Sequence, residues 1–225
     1  MLFRSGLNSG FGDYSAAIKG SGTPKTMSSG SVSIASTASY YGTSANFQNS
    51  NSYVDTPGTS GDFNMGTGDF TIEGWFYPTH SSIQTVYFGI GGDSGGLVVT
   101  VENGATYCYF VTVGNVLSGA AIKTGAWQHI AVVRTGNTIL TFLDGVQVLS
   151  NSFSSTIDSN YTTAYIGYDV MVAGGNYYFD GFISNLHIVK GTALYTANFT
   201  PPTAPISSVA NTKLLCCKSN SSATA

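Results

Sequence analysis

The stretch Trp127-Gln128-His129-Ile130-Ala131-Val132-Val133-Arg134 is followed by Thr135-Gly136-Asn137, by the run Thr138-Ile139-Leu140-Thr141-Phe142-Leu143, by Asp144-Gly145, and by Val146-Gln147-Val148-Leu149-Ser150. Three short runs rich in Val, Ile, Leu and Thr are thus parted by residues that tolerate positive φ in two-residue hairpin loops. Residues 126–150 are predicted to fold as a three-stranded antiparallel meander.

The same texture extends in both directions. Apolar runs of period two, punctuated by Gly, Asn or Asp, place further strands at residues 69–77, 84–90, 96–102, 105–113, 163–168 and 179–190, about eleven or twelve in all. No window of a dozen residues keeps a helical i, i+3, i+4 apolar stripe free of Gly and Pro, so helix is predicted to be rare. In the run beginning at Phe70, one parity collects Phe70, Ile72 and Phe76, while the other collects Thr71, Glu73, Trp75 and Tyr77. The first parity is a core face and the second an amphipathic one. So many strands close best as two stacked antiparallel sheets, because one open sheet would leave an apolar face and two edges unprotected.

Composition narrows the function classes. The 225 residues carry 28 Gly and only 8% charged residues, with a net charge of −3. There is no basic field of the kind that phosphate contacts or polybasic membrane docking require, so neither nucleic acid nor membrane is an expected partner. No stretch approaches the roughly 20 apolar residues of a spanning helix, and the start lacks a leader pattern, so the chain reads as soluble and unprocessed. Cys108, Cys216 and Cys217 are too few and too poorly spaced for a zinc site or a disulfide framework, although a bridge from Cys108 to either of the others is left open.

Residues 1–44 are rich in Gly, Ser and Thr, with no charge between Lys25 and Asp55. They read as a low-charge arm, residues 45–218 as the folded domain and residues 219–225 as a polar tail. Ser31-Val32-Ser33-Ile34-Ala35-Ser36 alternates in a way that suits a strand added to a neighbour's sheet edge.

A family resemblance rests on Phe70-Thr71-Ile72-Glu73-Gly74-Trp75, the Trp127–Arg134 run, Leu143-Asp144-Gly145-Val146 and Tyr165-Ile166-Gly167. Their succession is similar to that of laminin-G-like and pentraxin-like domains, which are concanavalin A-like jelly-roll sandwiches. Phe179-Asp180-Gly181-Phe182-Ile183-Ser184-Asn185-Leu186, then Gly191-Thr192-Ala193-Leu194-Tyr195, Asn198-Phe199-Thr200-Pro201-Pro202 and Thr212-Lys213-Leu214-Leu215, resemble a module of virion proteins in tailed phages, particularly marine and cyanobacterial ones. The resemblance implies an all-β two-sheet jelly roll over residues 45–218. It also implies a virion location, after synthesis in the host cytoplasm, with capsid or tail proteins as partners.

Some enzymes among the resembled concanavalin A-like domains cleave polysaccharides. Retaining glycoside hydrolysis needs two carboxyls about 5–5.5 Å apart. Glu73 and Glu102 are the only glutamates, and Asp69 with Glu73 is the only acidic pair of suitable spacing; turn capping accounts for Asp69. No Gly-x-Ser-x-Gly elbow exists, and His80, His129 and His187 lie far apart in sequence, with His129 read as structural. The protein is expected not to be an enzyme and to need no cofactor. Calcium is a property of the resembled families, and Asp93, Asp158, Asp169 and Asp180 offer hard oxygens. They are scattered singly, turn formation accounts for them, and no metal ligand is assigned.

Aromatic residues are the remaining resource, with 14 Tyr and 13 Phe. Trp75, Tyr77, Tyr107, Tyr109, Tyr161, Tyr168 and Tyr177 are the candidate ligand or partner contacts, since sugar rings stack on aromatic platforms, although tyrosines also fill sandwich cores. Two roles follow. One is a homo-oligomeric virion decoration, cement or appendage subunit working through protein contacts, and the other is a lectin-like module that recognises host-surface glycan.

Overall fold

The computed structural model describes residues 28–29, 33–35, 44–48, 52–57, 61–80, 85–90, 96–102, 104–110, 114–157, 163–168 and 177–217. Among them are fifteen strands and no helix: β1 (Ser28–Ser29), β2 (Ser33–Ala35), β3 (Ser44–Asn46), β4 (Val54–Pro57), β5 (Phe70–Pro78), β6 (Thr85–Ile90), β7 (Leu97–Glu102), β8 (Ala105–Phe110), β9 (Gly114–Ala121), β10 (Gln128–Thr135), β11 (Thr138–Leu143), β12 (Val146–Ser152), β13 (Thr163–Ile166), β14 (Gly181–Lys190) and β15 (Thr212–Cys216). All pair antiparallel, as a seven-stranded sheet in the order β1-β4-β13-β6-β7-β8-β9 and an eight-stranded sheet along the path β12-β11-β10-β5-β14-β3-β2, with β15 on β14. The all-β, two-sheet sandwich expected from the sequence is the observed fold.

The meander is present as β10-β11-β12, with Ile130 opposite Leu143 and Thr135 opposite Thr138. Its turns use the expected residues: Gly136 at φ 57°, then Asp144 at 50° and Gly145 at 77°. Asp144 also ties the β11–β12 turn to β10, its Oδ1 accepting a hydrogen bond from the His129 N–H at 2.9 Å. Between the sheets, Phe70, Ile72 and Phe76 of β5 and Ile130 and Val132 of β10 face Leu97, Val99 and Val101 of β7 and Cys108 of β8 in one core. A one-residue slip of any of these strands would turn its apolar set outward, so burial fixes the register.

Sequence pattern missed β9, whose Gly-Asn-Val-Leu-Ser-Gly-Ala-Ala has little β-propensity, and the two- to four-residue strands β1, β3 and β4. Ser33–Ala35, part of the segment expected to pair with a neighbour, lies against β3 of its own chain, and β1 lies against β4. β3 spans the expected boundary between arm and domain. Residues 219–225, and the rest of the arm before Ser44, fall outside the described residues.

The second face of β5 differs from the expectation of an amphipathic surface: Thr71, Glu73 and Trp75 are all buried. The chain leaving β14 folds back across the eight-stranded sheet as a strap. Thr71 Oγ1 donates to the Thr192 carbonyl at 3.0 Å and accepts from Leu194 N–H at 2.9 Å. Ala193, Tyr195 and Phe199 of the strap close a second, outer core over Ala131, Val133, Leu140 and Phe142. Gly145 is the contact that lets the strap lie flat, because a Cβ there would stand 1.9 Å from the Phe199 carbonyl oxygen.

Candidate functional site

Beneath the strap lies the most elaborate polar cluster among the described residues. Register sets His187 of β14 and Ala131 of β10 on either side of Glu73, and His129 beside Trp75. The Glu73 carboxylate receives His187 Nδ1 at 2.9 Å on Oε1, and on Oε2 the Tyr195 hydroxyl at 2.7 Å and His129 Nε2 at 3.2 Å. The last is a charge contact off hydrogen-bond alignment, and His129 Nδ1 has no hydrogen-bond partner. On the far side, Val209 N–H donates to Thr212 Oγ1, which lies 2.9 Å from His187 Nε2. This relay is satisfied throughout by a neutral His187 protonated on Nδ1: Thr212 then donates to Nε2 and Nδ1 donates to Glu73.

Burial on its own would raise the Glu73 pKa, but the contacts with His129, His187 and Tyr195 outweigh it and hold the carboxyl down at about 2. Burial and the adjacent carboxylate push the Tyr195 hydroxyl up. The cluster is dry: Glu73, His129 and His187 are 2%, 0% and 1% exposed, with the edges of Trp75 and Phe199 closing on the His129 ring. The arrangement ties β5, β10 and β14 to the strap as a buried polar lock.

The other acidic candidates lie elsewhere. Asp69 accepts from Gly136 N–H at 2.7 Å, the turn-capping role expected of it. Four residues of extended chain set it roughly 13 Å from Glu73, beyond the carboxyl spacing that glycosidases need. The side chain of Glu102, and all of Asp93, Asp158 and Asp169, are outside the described residues. Asp180 accepts from Thr79 Oγ1 at 2.6 Å and lies 3.4 Å from His80 Nε2 at the surface. No group of three metal-ligating side chains occurs among the described residues.

A second aromatic cluster has the opposite character. Tyr53 precedes β4, Tyr165 sits on β13, and Tyr168 and Tyr178 form a bridge just beyond it. Tyr168 and Tyr178 stack at 4.9 Å and 26°, Tyr53 lies 5.6 Å from Tyr168 and 6.4 Å from Tyr178, and Tyr165 meets Tyr168 at 6.1 Å. Ala164 and Ile166 point into the core, so the alternation of β13 turns Tyr165 outward. All four residues are half-buried. Burial, and then the neighbouring Tyr168 and Tyr53, push the Tyr178 hydroxyl up.

Of the sequence candidates, Tyr168 belongs to this cluster and Tyr177 adjoins it, half-buried. Tyr77 is half-buried at the other sheet, edge-on to Trp127 at 5.6 Å and to Phe182 at 5.8 Å. Trp75 is 6% exposed, packed on His129 at 5.2 Å, and offers no surface to a ligand. Tyr107 and Tyr109 take register positions opposite Thr100 and Val98, and their side chains, like all of Tyr161, are outside the described residues. Sequence reading missed Tyr53, Tyr165 and Tyr178 as partners of Tyr168; Tyr165 was legible as the outward parity of its strand, but nothing local joins it to Tyr53. Cys108 lies in the core, 3.6 Å from Thr141 of β11, with burial pushing its thiol up to about 12. Cys216 is on β15, four strand spacings from β11, roughly 19 Å, so the bridge left open by the sequence is not formed.

A sequence model described as the concanavalin A-like lectin/glucanases superfamily matches residues 48–195. No curated protein matches the sequence. Among solved structures, domain 4 of an extracellular arabinanase from Geobacillus stearothermophilus, in complex with arabinotriose, is similar with a TM-score of 0.59 and 17% identity, over 76% of this chain and 84% of that one. The binding domain of Paraclostridial Mosquitocidal Protein 1 gives a TM-score of 0.60 and 16% identity over 81% of this chain and 49% of that one. Botulinum neurotoxin type C, in a structure whose cell entry is described as dependent on two ganglioside molecules, gives 0.58 and 9% over 76% and 44%. This chain thus spans about half the length of the two toxin chains, and at such identities the likeness is one of fold. With the two-sheet sandwich observed and more than half of the sequence matched, the chain belongs to the concanavalin A-like lectin/glucanases superfamily.

Proposed function

We propose that this protein is a non-enzymatic, lectin-like recognition module that binds glycan on a host or partner surface. The observation that carries this reading is the cluster of Tyr53, Tyr165, Tyr168 and Tyr178, whose rings are pre-packed against one another while each residue stays only half-buried. Rigid aromatic rings bind sugar faces at small entropic cost, and their hydroxyls meet sugar hydroxyls at the rim. The similar arabinanase domain was solved with a sugar, and the similar toxin chains are described as binding domains or by ganglioside dependence, which supports the same class of ligand. The absence of catalysis rests on Glu73 being sealed and Asp69 engaged in a turn. Titration of the protein with arabino-oligosaccharides and bacterial surface polysaccharides should show binding that Tyr168→Ala weakens at least tenfold, with no release of reducing sugar. Binding that is unchanged in Tyr168→Ala would remove the cluster from the site, and turnover lost in Glu73→Gln would make the protein an enzyme.

A second reading places this module on a tailed-phage particle, in contact with capsid or tail proteins and with other copies of itself. It is favoured by the likeness of residues 179–202 and 212–215 to phage virion modules and by the low charge of the chain. Mass spectrometry and imaging of purified particles would locate the chain; a chain found only in the host cell would refute this placement.

A further inference from the structure

We propose that Cys216 and Cys217 form a vicinal dithiol that a hydroperoxide converts into a disulfide between the two adjacent residues. The Cys217 thiol donates to Cys216 Sγ at 3.6 Å, so the two sulfurs already face each other. Their surroundings differ in the way such a reaction needs: Cys216 is 4% exposed in the core at the end of β15, whereas Cys217 is half-buried and reached by solvent. The hydrogen bond from Cys217, and burial, push the Cys216 thiol up, leaving Cys217 as the group that meets an oxidant first.

The backbone holds this arrangement. Cys217 adopts φ 60°, in the left-handed region, and its carbonyl accepts from Asn185 N–H at 3.0 Å; Asn185 itself stands at φ 54°. A left-handed residue other than Gly is disfavoured and persists only where its surroundings hold it. Here the turn brings the second sulfur back beside the first instead of letting the strand alternation send it to the opposite face.

The chemistry balances without a further partner. Cys217 thiolate attacks one oxygen of hydrogen peroxide, forming a sulfenic acid and releasing hydroxide, which takes a proton to become water. Cys216 then attacks that sulfur, the S–O bond breaks, and the thiol proton leaves with the hydroxide as a second water. Two thiols lose two electrons and two protons in total. Adjacent Cα atoms are only about 3.8 Å apart, less than the roughly 4.4 Å lower bound of ordinary disulfides, so the ring is strained and readily reduced. Cys108, on β8 of the opposite sheet, is not involved.

The sequence supplies a direct readout, since trypsin cutting after Lys213 and Lys218 releases Leu214-Leu215-Cys216-Cys217-Lys218, free of Cys108. After limited hydrogen peroxide treatment of the full chain, this peptide should lose two hydrogen masses, take up no iodoacetamide and recover two reactive thiols in dithiothreitol. Cys216→Ser should stop at the sulfenic stage and be captured by dimedone, and Cys217→Ser should leave Cys216 as a free thiol. A wild-type peptide that carries dimedone or sulfinic acid, is joined to a second chain, or keeps two free thiols under conditions that oxidise Cys216→Ser would overturn the proposal. The wild-type mass shift stands even if a variant fails to fold.

Discussion

The two aromatic clusters of this sandwich use nearly the same residue types and do opposite work. Beneath the strap, Trp75, Tyr195, Phe142 and Phe199 enclose a carboxylate and two imidazoles, Tyr195 and Phe199 stacking at 3.6 Å and 5°. On the seven-stranded sheet, Tyr53, Tyr165, Tyr168 and Tyr178 pack on one another and stay half-buried. What separates them is coverage: the strap after β14 closes over the first cluster with Ala193, Tyr195 and Phe199, whereas the tyrosines of the second stay half-buried. Aromatic richness in a β-sandwich therefore identifies a binding face only after the path of the connecting chain is known.

The sharpest way to break this contrast is Glu73→Ala. It leaves His187 and Tyr195 without their buried acceptor, and the expected loss is about 3–5 kcal/mol of stability, read as a fall in the urea midpoint. A loss under about 1 kcal/mol would mean the cluster is no lock. Acid should act on the same group from the other direction. A carboxyl held at about 2 when folded and near 4.5 when unfolded binds its proton more readily in the unfolded chain. Its contribution, roughly 3 kcal/mol, is complete above pH 4.5 and is lost as the pH falls toward 2. Melting temperature should hold above pH 5, drop below it, and drop less in Glu73→Gln.

A smaller effect is expected at the strap's footing. Gly145→Ala sets a Cβ into the Phe199 carbonyl at a residue with φ 77°, and about 2 kcal/mol should be lost. Hydrogen exchange should quicken at Leu194, whose N–H the strap gives to Thr71, more than in β7. Uniform quickening would mean that the strap does not open separately. The smallest stability change belongs to the open cluster: Tyr168→Ala should cost under about 1 kcal/mol while weakening sugar binding at least tenfold. Equal losses in both would make the tyrosines packing residues like those under the strap.

Much of the fold could be read from local signals. The period-two runs, Gly136 and Asp144-Gly145 yield the meander and the core face of β5, since each depends on residues a few positions apart. The short strands near the start carry no such pattern, because two or three paired residues are held by neighbours instead of by their own propensity. At the candidate site, Tyr168 was legible as a candidate aromatic contact, whereas Trp75 was misread as accessible because no local feature tells that residues 120 positions later will cover its strand.

By itself the sequence determined the class of fold, the alternation of its central strands, the hairpin turns and the scarcity of paired carboxylates. Only the tertiary structure decided what Glu73 does. Strict alternation along β14 would send His187 to the same face as Ile183, into the core. A bulge between Ser184 and His187, with Asn185 at φ 54°, inserts one extra residue and shifts the parity. Leu186 and Ile188 then continue the core while His187 turns outward onto Glu73, beneath the returning strap. An Asn can adopt that left-handed conformation almost anywhere, so the residue alone does not mark the bulge; the competition between burying Ile183 and burying Leu186 on one face does, and that competition exists only once the two sheets meet.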